Sequence, residues 1–304
     1  MLGISLVIIS LMVIIVSVGL ITHRIRLLKG TYTYVPSYSQ EPYVTGLNLD
    51  RVKQLRHLPG FLLVLIALHE DDLFFSHKGL NLPEIKRSLK DSLKTKKLKG
   101  GSSITQQLVR NIFVLARYRF LRKPLELLYA ILAELVLTKE EIFVLYLDNL
   151  RFGYRTETGW LYAVEKYFNK QSKQLTLSEA LFLCNLIPNP SIRSYFILRR
   201  GAVDKFPFTH IYGRLFDFIR FVVGKWGPLC LNDLSLITFD QAVEELKKYH
   251  LFRHDTFDQD MQRVIGIRVD LEMYKLRKTL EELVVQSSLN LIQDPLQEVV
   301  KDLS

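Results

Sequence analysis

The stretch Phe61-Leu62-Leu63-Val64-Leu65-Ile66-Ala67-Leu68-His69-Glu70-Asp71-Asp72-Leu73-Phe74-Phe75-Ser76-His77-Lys78-Gly79 sets the reading of the fold. Its first eight residues are apolar without strand-like alternation, which predicts a buried helix. Three acids then fall at or just past the end of that helix, where the macrodipole is negative and disfavours carboxylates. Like-signed dipole and partial burial both raise a carboxyl pKa, which suits a general base working near neutral pH. The alternative is a solvated acidic turn paired with Lys78 or the lysines that follow it.

The same helical texture extends outward from about Asp50 to Tyr195, with breaks at Pro59-Gly60, Gly100-Gly101 and Pro188-Asn189-Pro190. Long apolar stretches with little alternation predict an all-α domain over residues 50–195. Upstream, Leu2 to Ile21 carries no charge, Asn, Gln or Pro and is about 20 residues long, enough to cross a bilayer as a helix. It lacks the basic n-region and small-residue cleavage site of a signal peptide, so residues 1–22 read as a transmembrane anchor. A basic collar of His23, Arg24, Arg26 and Lys29 and a Tyr-rich stretch with Pro36, Pro42 and Gly46 read as a linker over residues 23–49. By the positive-inside rule this collar favours a cytoplasmic body.

Residues 196–304 carry no recognisable motif, although helical periodicity recurs at Gln241–His250 and Met261–Val285. The aromatic and basic stretch Phe206–Trp226 fits either a membrane-interface segment or a buried helical hairpin. The expectation for this third of the chain is a helical accessory region that contacts membrane or a partner.

The 304 residues are 48% apolar with a formal net charge of +10, which excludes a disordered chain and implies anionic partners. Cys184 and Cys230 are too few for a disulfide framework or a thiolate-rich zinc site. No recognised nucleic-acid motif accompanies the charge.

Two further constellations carry chemistry. Gly100-Gly101-Ser102-Ser103-Ile104-Thr105-Gln106-Gln107-Leu108-Val109-Arg110-Asn111 follows Lys94, Lys96, Lys97 and Lys99. Ser103 and Gln106 have capping-box spacing, so a helix starts here, and its N-terminus beside hydroxyls and lysines can hold phosphate. A capped helix after a basic loop is the bland reading. In Arg122-Lys123-Pro124-Leu125-Glu126, Pro124 suits a first helical turn, and the apolar course to Leu137 predicts a helix buried all round. Glu126 there is costly unless paired, and Arg122 at i−4 and Lys123 at i−3 are within reach. A structural ion pair and a site carboxylate among cations both fit. Lys139–Asn149 and Gly159–Lys170 read as further helices with polar ends.

Taken in order, these segments resemble the glycosyltransferase family 51 domain, the transglycosylase module of penicillin-binding proteins and of monofunctional peptidoglycan transglycosylases. The family patterns are E-D-x-x-F-x-x-H-x-G, G-G-S-T-I-T-Q-Q-x-x-K-N, R-K-x-x-E, K-x-E-I-L-x-x-Y-L-N and A-x-x-Y-F-G-K, and the match covers about Leu58 to Ser191. The resemblance implies a mostly helical, lysozyme-like fold with one N-terminal anchor at a bacterial cytoplasmic membrane, and a catalytic domain on its outer face. That overrules the positive-inside reading.

It also implies a peptidoglycan glycosyltransferase that polymerises lipid II, a disaccharide on a polyprenyl diphosphate, by inverting transfer. Glu70 takes the family's general-base position and Glu126 that of the second essential glutamate, at the diphosphate end. The latter acts through Lys123 or a divalent cation, magnesium or manganese. Asp71, Phe74, His77, Ser102, Ser103, Thr105, Gln106, Gln107, Arg110, Asn111, Arg122 and Lys123 fall at substrate-binding positions. Departures are Ser103 for Thr, Arg110 for Lys, Asp148 for Asn, Asn169 for Gly, and Tyr118, flanked by Arg117 and Arg119, where the family often has Arg. The chain contains neither Ser-x-x-Lys nor Lys-Thr-Gly, so cross-linking is expected from a separate transpeptidase among cell-wall synthesis partners. The competing readings are a lytic muramidase-type hydrolase, which needs no diphosphate site, a catalytically weak lipid-II-binding scaffold, and a membrane-tethered nucleic-acid binder.

Overall fold

The structure is a computed structural model, and it describes residues 2–36, 41–95, 101–113, 115, 120–152, 158–187, 208–252 and 256–288. Lys96, Lys97, Lys99, Gly100, Arg117, Tyr118, Arg119 and the Pro188-Asn189-Pro190 break lie outside the described residues. Helices dominate, as expected from the patterning, and among the described residues the one sheet is a two-stranded antiparallel pair. Two compact units are formed, residues 1–53 with 77–146, and residues 54–76 with 147–304.

In the first unit, α1 spans Leu2–Leu27, so the helix runs on through most of the basic collar. The segment Val7–Leu27 is long and apolar enough to cross a membrane, and its side chains from Val7 to Val16 are more than half exposed. The other end of α1 is built into the unit, with Ile25 and Leu28 buried. Arg24 donates to the Tyr32 hydroxyl at 3.0 Å and lies over the Phe113 ring. The stretch read as a linker is partly ordered, because Tyr32–Tyr34 (β1) pairs with Tyr43–Thr45 (β2). Its Thr and Tyr residues are good strand formers, a signal that the turn residues around them obscured.

Asp50–Leu55 (α2), which ends at the unit boundary, and Leu82–Thr95 (α4) follow, then Ile104–Ile112 (α5) and Arg122–Val136 (α6), packed on each other. The start of α5 falls where the capping signal put it: Ser103 Oγ accepts from Gln106 N at 3.2 Å. Only this half of the box is seen at α5, and Gln106 Nε2 is buried without a partner. The expectation that α6 is buried all round is corrected. Tyr129, Ala130, Leu132 and Ala133 are buried, but Ile131 and Leu135, four apart on one face, are exposed. Lys139–Asp148 (α7) closes this part of the chain.

The second unit is organised on Gly60–Glu70 (α3), in which Gly60 to Ala67 and His69 are all buried. Each fully buried Leu, Val or Ile there contributes about 1.5–3 kcal/mol. Around it come Trp160–Phe168 (α8), Leu177–Leu186 (α9), Phe208–Trp226 (α10), Phe239–Lys247 (α11), Tyr249–Phe252 (α12) and the 30-residue Gln259–Ser288 (α13). Helices α9, α10 and α11 pack directly on α3, and α13 packs on α9 and α10. Of the two readings of Phe206–Trp226, the buried one holds for the described part, as one helix with Ile211, Leu215, Phe218, Ile219, Phe221 and Val222 out of solvent. The region after residue 196 therefore supplies core.

Asn169, which stands where the resembled family has Gly, caps α8 in the left-handed region at φ 51°. Asn is the residue after Gly that adopts this conformation most readily, so the departure preserves the backbone.

Candidate active site

In the first unit the two constellations from the α5 start and the α6 start meet at Lys123. Pro124 sits in the first turn of α6 and places Lys123 and Glu126 three residues apart on one face. Lys123 Nζ donates to Glu126 Oε2 at 2.7 Å and to Ser102 Oγ at 2.7 Å. Arg122 Nε stands 3.5 Å from Glu126 Oε1. The Glu126 carboxylate is fully buried, whereas Lys123 and Arg122 are about half exposed at 52% and 45%. Of the two readings left open for Glu126, the ion pair is therefore present, and its cations face solvent. A carboxylate held this way fixes an ammonium and a guanidinium at the surface in one geometry, an arrangement suited to phosphate.

The loop before α5 is locked from below. Ser103 Oγ, besides capping α5, donates to Gly79 O at 2.6 Å. Gly79 has φ +84°, and a Cβ there would lie 3.1 Å from the Ala130 carbonyl oxygen of α6, so glycine is required. Thr105 is buried and donates to Glu134 Oε1 at 2.5 Å, an oxygen that Lys139 Nζ also approaches at 2.7 Å. Gln107 is bound at both ends of its amide, by Ser102 O at 3.5 Å and the Tyr146 hydroxyl at 3.3 Å. Ser103, Thr105 and Gln107 thus serve the framework of this corner, while Ser102 and Lys123 present polar atoms from it. Arg110 and Asn111 lie partly exposed in the last turns of α5, and His77 is partly exposed in the same unit.

In the second unit Glu70 is the last residue of α3, as the dipole argument required, and Asp71 is the C-cap whose N–H donates to Ala67 O. The Glu70 side chain is 9% exposed. Asp71 and Phe74 are buried, and Phe74 packs edge-on against Phe75. His69 Nδ1 stands 3.2 Å from Glu70 Oε1. The imidazole is held by two groups far away in sequence: Arg214 Nη1 donates to Nδ1 at 2.6 Å, and Nε2 lies 3.3 Å from Asn185 Oδ1. Cys184 lies among these charges. Burial pushes its thiol well up, the Glu70 charge adds to the rise, and Arg214 opposes it. Sequence reasoning missed His69, Asn185 and Arg214. His69 was visible beside Glu70, but Asn185 and Arg214 are separated from it by 116 and 145 positions, and no spacing rule reaches that far.

Comparison with known proteins places the chain in a family. The transglycosylase family model matches residues 44–203. A biosynthetic peptidoglycan transglycosylase of Bdellovibrio bacteriovorus is 30% identical over 182 residues, 58% of this chain and 68% of that protein. One of Shewanella oneidensis is 35% identical over 135 residues, 43% of this chain and 56% of the relative. Penicillin-binding protein 1F of Bacillus subtilis is 39% identical over 126 residues, 41% of this chain but only 18% of that longer protein. The chain belongs to the transglycosylase family. It spans between about half and two thirds of the biosynthetic relatives it matches.

Proposed function

We propose that this protein is a peptidoglycan glycosyltransferase that polymerises lipid II into glycan strands. The observation that carries the reading is the Lys123 ammonium held at 2.7 Å by both buried Glu126 and Ser102, at the entrance to α5. A fixed, half-exposed cation backed by a buried carboxylate suits the diphosphate of a lipid-linked donor. A muramidase has no diphosphate donor for such a group to hold.

In the proposed reaction the acceptor 4-hydroxyl attacks the anomeric carbon of the donor strand with inversion. The C1–O4 bond forms as the C1–O bond to diphosphate breaks, and the hydroxyl proton passes to Glu70. Polyprenyl diphosphate departs, its developing charge met by Lys123, Arg122 and the Ser102 hydroxyl. Glu126 does not touch the reacting carbon in this scheme and instead positions the two cations.

The proposed reaction uses no magnesium or manganese ion. Among the described residues no three His, Cys, Asp or Glu side chains are grouped to hold a metal. The Glu126 carboxylate already pairs with two side-chain cations. No step is routed through a metal.

We place the catalytic body on the outer face of a bacterial cytoplasmic membrane, anchored through α1. Support comes from the exposed apolar surface of Val7 to Val16 and from the use the collar makes of its charges. Arg24 is bound to Tyr32 and Phe113, and Lys29 lies 3.7 Å from Glu141.

Labelled lipid II incubated with the detergent-solubilised full chain tests the reading. Wild-type protein is expected to make glycan ladders, and Glu70→Gln to lose roughly a hundredfold or more of the rate. Glu126→Gln should lose a comparable amount, because it frees the buried anchor of Lys123. Tight lipid II binding without polymer from the wild type would replace the enzyme with a scaffold.

A further inference from the structure

The contacts around the Glu70 base extend to a residue that family membership does not supply. Arg214 lies on α10, outside the matched segment 44–203. Its Nη1 reaches His69 Nδ1 at 2.6 Å, inside the second unit. A guanidinium has only donors, so Nδ1 must be the accepting nitrogen of the ring and the ring proton sits on Nε2. Asn185 requires the same tautomer. Its Nδ2 donates to Leu181 O at 2.8 Å, which turns Oδ1, an acceptor, towards Nε2–H. His69 and Asn185 are both buried, at 4% and 0% exposure, so neither ring nor amide can exchange these partners for water.

The consequence falls on Glu70. Its Oε1 is 3.2 Å from the same Nδ1, close enough for an imidazole–carboxylate hydrogen bond if that nitrogen carried a proton. With Arg214 donating to it, it carries none. We infer that Arg214, acting through His69, is a positioning residue for the Glu70 base: with Asn185 on the other ring nitrogen, it holds the imidazole in the tautomer that cannot donate to Oε1. The imidazole then does not compete with the substrate hydroxyl for that oxygen, and the cation stands at the negative end of α3, where Glu70, Asp71 and Asp72 gather. This rests on the reading of Glu70 as base.

The test measures lipid II polymerisation by the full chain, as kcat and KM separately, for Arg214→Met, Arg214→Lys, His69→Gln and the His69→Gln/Arg214→Met pair, beside Glu70→Gln. Thermal unfolding is followed for each. Arg214→Met is expected to lower kcat roughly ten- to a hundredfold, less than removal of the base itself. KM should stay within about twofold, since the residue is not assigned to substrate binding. Arg214→Lys should recover most of the rate, because an ammonium can also donate to Nδ1. In the His69→Gln background the Met substitution should cost little more, as both act along one path.

A wild-type kcat for Arg214→Met with an inactive Glu70→Gln would overturn the positioning role and leave the base standing. An active Glu70→Gln would remove the base reading, and this inference with it. Equal loss in Arg214→Met and Arg214→Lys with a lowered melting temperature in both would make Arg214 a packing residue only. An undiminished effect of Arg214→Met in the His69→Gln background would rule out the imidazole route.

Discussion

Ser103 shows how one hydroxyl can serve two elements at once. It caps α5 through Gln106 N and donates to the carbonyl of Gly79, so both of its roles are lost in Ser103→Ala. A missing cap and an unsatisfied buried carbonyl together should cost about 1–3 kcal/mol, read as a lower denaturant midpoint with unchanged slope. The two cysteines differ in the same local way. Cys184 is fully buried and its thiol is pushed well up, whereas Cys230 is partly exposed and raised less strongly, by burial and by Asp233. Since the thiolate is the reactive form and a raised pKa leaves less of it at a given pH, native protein at pH 8 should label at Cys230 slowly and at Cys184 only after unfolding. Mass-spectrometric mapping after maleimide treatment checks this.

Helix α3 combines two demands: an apolar body that anchors the second unit and a C-terminus that ends on Glu70, the proposed base. Its start is set by contact rather than by a polar cap. Gly60 N donates to Ile237 O at 2.7 Å, and a Cβ at Gly60 would lie 2.1 Å from Thr238 O, a backbone atom that cannot swing aside. Gly60→Ala should therefore push α3 and α11 apart and destabilise the protein by about 1–3 kcal/mol, with polymerisation falling as Glu70 shifts. Thermal and denaturant unfolding of the variant measure it, and wild-type stability would show that the contact relaxes without cost. On α6 the corresponding feature is the Arg122–Lys123–Glu126 group, legible because i−3 and i−4 neighbours on a helix must meet.

At the scale of the molecule, the region after residue 196 is where sequence and structure part most. Read as an accessory region for membrane or partner contact, it also supplies core: α10 and α11 cover α3, Ile265, Val269, Leu276 and Leu280 of α13 are buried, and Arg214 of α10 reaches His69. A chain ending at residue 207 should lose cooperative unfolding and polymerise nothing, because α3 would be left with its apolar faces in water. A soluble, active truncation would return the region to an accessory role.

The helical class, the apolar N-terminal segment, the α5 cap, the Arg122–Lys123–Glu126 pairing and the placement of Glu70 at a helix end were all determined by sequence alone. Each depends on residues no more than a few positions apart, where helix geometry dictates who meets whom. The tertiary structure alone decided that α6 leaves one face exposed, that Thr105 is bound to Glu134, and that a motif-poor C-terminal region forms the core around α3 and places Arg214 on His69. Those outcomes join residues tens to more than a hundred positions apart, and only the folded chain selects among the many pairings that composition permits.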